Sequence, residues 1–85
     1  MTLAVVWRPA AMNAYRSVRV RDPEGARHIA HVIAALAAEP QPEGSSSLGE
    51  TDFRRLRLGQ YRVLYEVTPD SVRVMHVGRA LQARP

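Results

Sequence analysis

Four arginines fall within nine consecutive positions that contain no acidic residue: Arg54, Arg55, Arg57 and Arg62. A guanidinium group is a charged, planar donor that pairs bidentately with phosphate or carboxylate, so the cluster predicts contact with phosphate or with an acidic protein. On a strand, Arg55 and Arg57 share one face and Arg54 takes the other. If Arg62 joins the first pair, three arginines would stabilise a dianionic phosphorane. The alternative is a solvated sheet face whose arginines pair with neighbours such as Glu66.

Proton transfer at such a site needs another residue, because arginine stays protonated and is a poor acid or base. Histidine changes its charge near neutral pH, which makes His76 the first candidate. Alternation places His76 in phase with Val72 and Val74 on an inner strand, where a lone histidine among valines is typical of a packed core residue. Glu66 shares the phase of Arg62 and is the second candidate, either as the base or as a group that orients this arginine.

Other reactive side chains give weaker patterns. His28 and His31 lie three apart on a predicted helix without a carboxylate or cysteine partner at ligand spacing, so exposed helix positions explain them better than a metal site. The three serines at 45–47 lack a base and an orienting group. The chain contains no cysteine, which excludes disulfides, thiolate ligands and a cysteine nucleophile. We therefore predict no metal and no cofactor.

Apolar periodicity predicts the elements that position these residues. Strands are predicted at 3–7, 53–58, 61–68 and 72–77, and helices at 9–19 and 23–38. The order βααβββ in 85 residues indicates one α+β domain, residues 1–85, with an antiparallel sheet and two N-terminal helices packed on one face. Residues 41–49 carry proline, glycine and serine and are predicted to form a flexible loop. Residues 80–85 have too little pattern to assign.

The charge and the apolar runs of the chain bear on its partners and its location in the cell. The net charge is +4, and all twelve basic residues are arginine. Part of that choice reflects base composition, since the chain is also rich in alanine, but base composition does not explain the clustering. No apolar run approaches the roughly 18–20 residues that span a bilayer, and the N-terminal apolar stretch lacks a preceding basic region. We expect a cytosolic protein without a membrane partner.

Three segments, in this order and spacing, resemble the RelE/ParE superfamily of bacterial toxin–antitoxin toxins: Leu48-Gly49, the run 53–67 and the run 72–79. The most specific part is Gly-x-Tyr-Arg-Val-Leu-Tyr at 59–65. The resemblance covers nearly the whole chain and implies a RelE-like fold and a cognate antitoxin that wraps around the toxin. Toxins of the RelE branch enter the ribosomal A site and cleave mRNA, whereas toxins of the ParE branch poison DNA gyrase.

The resemblance also assigns roles to residues. Arg55 and Arg57 match the basic strand positions of the RelE branch, and Arg62 matches the hairpin arginine. The C-terminal pattern departs, because Ala80 stands where an arginine is expected and Arg84 stands where a tyrosine is expected. Either Arg79 or Arg84 substitutes for the missing groups, or the terminal part of the ribonuclease site is incomplete.

We therefore predict a ribosome-dependent, metal-independent mRNA endoribonuclease. The alternatives are a ParE-like gyrase inhibitor and a catalytically weakened homologue that acts by binding only. Tyr61 and Tyr65 alternate with Arg62 and are expected to pack under the helices, although Tyr61, beside the turn, is also placed to stack on a base. The predicted catalytic residues are Arg55, Arg57, Arg62, His76 and Arg79, and the predicted RNA-binding residues are Arg54, Arg55, Arg57, Tyr61 and Arg84.

Overall fold

The computed structural model describes residues 2–80, which form two helices and five strands. The elements are β1 (Ala4–Trp7), α1 (Pro9–Arg21), α2 (Pro23–Ala35), β2 (Ser45–Ser47), β3 (Phe53–Leu58), β4 (Tyr61–Val67) and β5 (Ser71–Arg79). Both helices pack on one face of the sheet, and the predicted α+β class is confirmed.

Local sequence signals explain where the helices begin and end. Each helix has a proline at its first position, where the missing N–H costs nothing. Asp22 caps α2, and its carboxylate accepts a hydrogen bond of 3.0 Å from the Gly25 backbone N–H. The helix ends at Ala35, three residues earlier than predicted, because residues 36–38 form a turn before Pro40.

The sheet is mixed, with the strand order β1-β5-β4-β3-β2. The last three strands form the predicted antiparallel meander, but β1 pairs parallel to β5. This corrects the expectation of a wholly antiparallel sheet. Tight turns make consecutive meander strands antiparallel, whereas β1 and β5 lie at opposite ends of the chain, with two helices and three strands between them, so no turn fixes their relative direction.

A short edge strand lies where the sequence predicted only a flexible loop. Ser45–Ser47 pairs antiparallel with β3, opposite Arg54, Arg55 and Leu56. Three serines carry no apolar alternation, so the strand forms through its backbone ladder. A contact from Arg54 Nη2 to Ser45 Oγ at 2.9 Å adds to this pairing.

The core lies between the helices and the sheet face that they cover. Its fully buried large side chains are Ile29, Ile33, Leu36, Val63, Tyr65, Val72, Val74 and Val77. We call the opposite sheet face, which no described helix covers, the open face. The meander strands alternate between these two faces, so each core residue on them fixes where its neighbours point.

One irregularity changes that alternation in β5. Leu64 pairs with His76 but the next residue, Tyr65, pairs with Val74, so Met75 is an extra residue on β5. Such a bulge reverses the phase of the strand on either side of it. As a result Val77 joins the core, while His76 is exposed on the open face. The expectation that His76 shares a face with Val72 and Val74 is therefore wrong.

Candidate functional site

The open face brings the candidate residues together in two rows that cross the strands. In the first row, Arg57 pairs with Arg62, and Arg62 pairs with Gly78 on the next strand. Paired residues on adjacent strands have Cβ atoms about 4.5–5.5 Å apart. We call these three residues the Arg62 row. Arg62 therefore shares the face of Arg57, as the phosphate-site hypothesis required.

The second row lies two residues further along the strands, about 6.7 Å away. It consists of Ser46, Arg55, Leu64 and His76, each paired with the next, and we call it the His76 row. The row therefore places one hydroxyl, one guanidinium and one imidazole on the same face of four adjacent strands.

A cleft of about 210 Å³ opens between β2 and the two rows. Its lining consists of Gly44, Ser46, Arg55, Arg57 and Arg62. The Arg57 Nε atom donates to the Gly59 carbonyl at 2.8 Å, which directs this side chain toward the β3–β4 turn. The cleft combines three positive charges with one hydroxyl, a donor set that fits a phosphate group.

The arginines of this cleft are not paired with carboxylates. Within residues 2–80, the one ion pair joins Arg73 Nη1 to Glu66 Oε1 at 3.3 Å. Glu66 also lies four residues from Arg62 on the same strand, about 13 Å away. The cluster therefore differs from a solvated face neutralised by Glu66, and Glu66 is poorly placed to orient Arg62.

The imidazole of His76 lies over Gly78, the strand partner of Arg62. A Cβ atom added to Gly78 would lie 2.8 Å from His76 Nε2, so the absence of a side chain at residue 78 makes room for the ring. Because Gly78 pairs with Arg62, the ring lies over the strand neighbour of this arginine, although His76 is not among the residues that line the cleft. The bulge and the glycine together place the imidazole on the open face, which also carries Arg55, Arg57 and Arg62.

Three other predicted site residues lie away from the cleft, on the face that packs against the helices. Arg79 donates from Nη2 to Gln60 Oε1 at 2.8 Å, and Arg54 donates to Ser45. Tyr61 is only 7% exposed, so its ring is not free to stack on a base. Arg84, the remaining predicted contact, lies outside the described residues.

Tyr61 instead connects the hairpin to the helices. Its hydroxyl donates to Asp22 Oδ2 at 2.7 Å, on the carboxylate that caps α2. This hydrogen bond, with the one from the Gly25 N–H, lowers the pKa of Asp22, and the same contact with desolvation raises the pKa of the Tyr61 phenol. The contact fixes the start of β4, where Arg62 immediately follows.

The sequence reasoning missed Gly44, Ser46 and Gly78. Gly78 had a recognisable signal, because a glycine inside a strand marks a bulge or a close approach. Gly44 and Ser46 could have been predicted as site residues only if β2 had been predicted, and the sequence of β2 has no apolar pattern. His28 and His31 are exposed on α2, the positions predicted for them. Within residues 2–80, no group of three potential metal ligands occurs.

Comparison with known proteins identifies the family. The family model for the ParE toxin of type II toxin–antitoxin systems (parDE) matches residues 5–84. No curated protein sequence matches the chain. Neither helix of the described region is long and apolar enough to cross a membrane.

Solved structures share the fold at low sequence identity. A mutant of the Escherichia coli toxin RelE in the free state has 19% identity and a TM-score of 0.78, over 93% of this chain and 84% of that one. The archaeal RelE–RelB complex from Pyrococcus horikoshii has 24% identity and a TM-score of 0.77, over 93% and 96%. The RelBE2 toxin–antitoxin complex from Mycobacterium tuberculosis has 18% identity and a TM-score of 0.79, over 94% and 100%.

Proposed function

The chain belongs to the ParE toxin family of type II toxin–antitoxin systems, and we propose that it is a metal-independent endoribonuclease that cleaves mRNA on the ribosome. The observation that most supports this activity is the position of His76. It is exposed on the same sheet face as Arg55, Arg57 and Arg62, beside the strand partner of Arg62. The arginines and an imidazole thus share one face of the sheet.

These groups suit cleavage by the 2′-hydroxyl of the RNA itself. In this reaction the 2′-oxygen bonds to the adjacent phosphorus, the bond to the 5′-oxygen breaks, and a 2′,3′-cyclic phosphate and a 5′-hydroxyl remain. His76 accepts the proton of the 2′-hydroxyl, the leaving 5′-oxygen takes a proton from water, and the hydroxide so formed takes the proton back from His76. Arg57 and Arg62 stabilise the charge that develops on the phosphorane, and Arg55 adds to the binding of the RNA backbone.

Two of the structures with the same fold are complexes of a RelE-type toxin with its antitoxin. We propose by analogy that a cognate antitoxin binds this chain and silences it, and that the toxin acts in the cytoplasm. We propose Arg54, which lies on β3 beside the edge strand and on the other face from the cleft, as a contact for such a partner.

Inhibition of DNA gyrase is the second candidate, because the matching family model is that of ParE. Ala80 supports it, since the resemblance to the RelE branch implies an arginine there. A gyrase inhibitor needs a binding surface but no proton-transfer group, so His76 distinguishes the two functions. Its replacement by alanine should slow mRNA cleavage by about 10²- to 10⁴-fold but leave inhibition of supercoiling intact.

Primer extension on cellular mRNA after brief induction tests the proposal. A ribosome-dependent nuclease gives discrete cuts in translated messages, and Arg62→Ala removes them. Arg54→Ala serves as the matched control, because this neighbouring arginine lies on the other face. Growth arrest without cuts, together with loss of gyrase supercoiling in a purified assay, would overturn the nuclease proposal in favour of the gyrase function.

A further inference from the structure

Ser46 lies in the candidate cleft but has no role in the mechanism described above. It pairs with Arg55 across the β2–β3 ladder, and its exposed side chain lines the cleft with the arginines. The adjacent Ser45 is engaged elsewhere: its hydroxyl donates to the Pro42 carbonyl at 2.7 Å and accepts from Arg54. Ser47 pairs with Arg54 on the opposite face. Ser46 alone of the three serines therefore faces the phosphate-binding residues.

The positive charge of the cleft divides into two parts. Arg57 is held toward the β3–β4 turn by its hydrogen bond to Gly59. Arg55 lies two residues away, in the direction opposite to the turn, and it has Ser46 as its strand partner. One end of the cleft thus offers Arg57 with Arg62, and the other offers Arg55 with Ser46.

We propose that Ser46 and Arg55 form a second phosphate subsite, which binds a phosphate adjacent to the scissile one. The RNA strand then crosses the sheet from the β2 edge toward His76, with the scissile phosphate at the Arg62 row. This proposal rests on the proposed nuclease function and adds a substrate contact to it. Because both groups recognise phosphate, the subsite positions the RNA and reads no base.

A double-mutant cycle between the protein and the RNA backbone tests this subsite. Ribosomes are programmed with a message whose A-site nucleotides are 2′-deoxy, which prevents cleavage. In separate messages, the phosphate on either side of the scissile one is replaced by an uncharged methylphosphonate. We expect one of these replacements to weaken toxin binding about tenfold, and Ser46→Ala to weaken binding to the unmodified message about three- to tenfold.

Coupling is the decisive result. If Ser46 contacts the replaced phosphate, Ser46→Ala and the methylphosphonate together weaken binding less than the product of their separate effects. Ser46→Thr retains the hydroxyl and should restore binding, and Ser47→Ala should behave as wild type. The salt dependence of toxin binding distinguishes the contributions of Ser46 and Arg55. Removing the neutral Ser46 hydroxyl should leave the slope of log K against log salt concentration unchanged, whereas Arg55→Ala should lower it by about 0.7.

Other outcomes overturn the proposal in distinguishable ways. If wild type cleaves an all-RNA message but Ser46→Ala acts independently of both methylphosphonates, the subsite is wrong and the nuclease function stands. If wild type neither binds programmed ribosomes nor cleaves the all-RNA message, both proposals fail. If Ser46→Thr bound the programmed ribosome as weakly as Ser46→Ala, the hydroxyl would not be the group that binding requires.

Discussion

Replacing Gly78 by alanine tests whether the His76 imidazole acts in cleavage. The added Cβ would lie 2.8 Å from His76 Nε2 and 3.5 Å from Cε1. Non-bonded heavy atoms prefer about 3.5–4.0 Å, so the ring must move away from its position over residue 78. His76 is exposed, and its ring can therefore move without disturbing the core.

The substitution should separate activity from stability. Gly78 does not have a positive φ, and a glycine inside a strand is disfavoured relative to alanine by roughly 0.5–1 kcal/mol. The free energy of unfolding should therefore stay the same or rise slightly. A positioned acid or base contributes about 10²–10⁴ in rate, and a displacement of about 1 Å can cost about 10²-fold. We expect Gly78→Ala to slow cleavage by about 10- to 100-fold.

Single-turnover cleavage of mRNA on programmed ribosomes, at saturating toxin, measures this effect, with urea unfolding as the stability control. The matched background is His76→Ala. If the glycine acts by making room for the ring, the double variant should cleave no more slowly than His76→Ala alone. Two results would refute this reasoning. One is a Gly78→Ala variant that cleaves as fast as wild type. The other is a double variant whose cleavage is slowed by the product of the two single-variant effects.

Three further predictions test other parts of the structure. Val77→Ala should destabilise the fold by about 2 kcal/mol in urea unfolding because Val77 is buried, whereas a β5 without the bulge would place residue 77 in solvent. Tyr61→Phe should lower the Tm at neutral pH. The difference from wild type should shrink in thermal melts below about pH 3.9, because the lowered pKa of Asp22 gives a contribution that is lost as this carboxylate is protonated. Arg62→Ala should lower the salt slope of ribosome binding by about 0.7–0.9, whereas Arg54→Ala leaves it unchanged.

The helices, the meander strands and the common face of the arginines could be predicted from the sequence because each depends on local patterns. The turn at Gly59 shows this. Its φ of 59° is accessible to glycine, and the two-residue turn at 59–60 pairs Leu58 with Tyr61, at the ends of the strands predicted at 53–58 and 61–68. Once this hairpin register is fixed, strand alternation alone places Arg57 and Arg62 opposite each other.

The bulge in β5 could not be predicted in the same way. Either Met75 or His76 could have faced the core on grounds of size and hydropathy, and only the packing of Val77 against the helices decides between them. The β2 strand escaped prediction for a related reason. Its partner lies some ten residues further along the chain, and its serines carry no periodicity.

The bulge also bears on the departure of the C-terminal end from the RelE pattern. In that pattern a terminal arginine and tyrosine complete the site, but Ala80 stands at the arginine position, and Arg79 is bound to Gln60 on the helix-facing side. One extra residue in β5 instead turns His76 to the open face. The cationic and proton-transfer groups then belong to three paired strands, whose backbone ladders fix their spacing. In the proposed mechanism, the sheet therefore supplies both the cationic groups and the proton-transfer group.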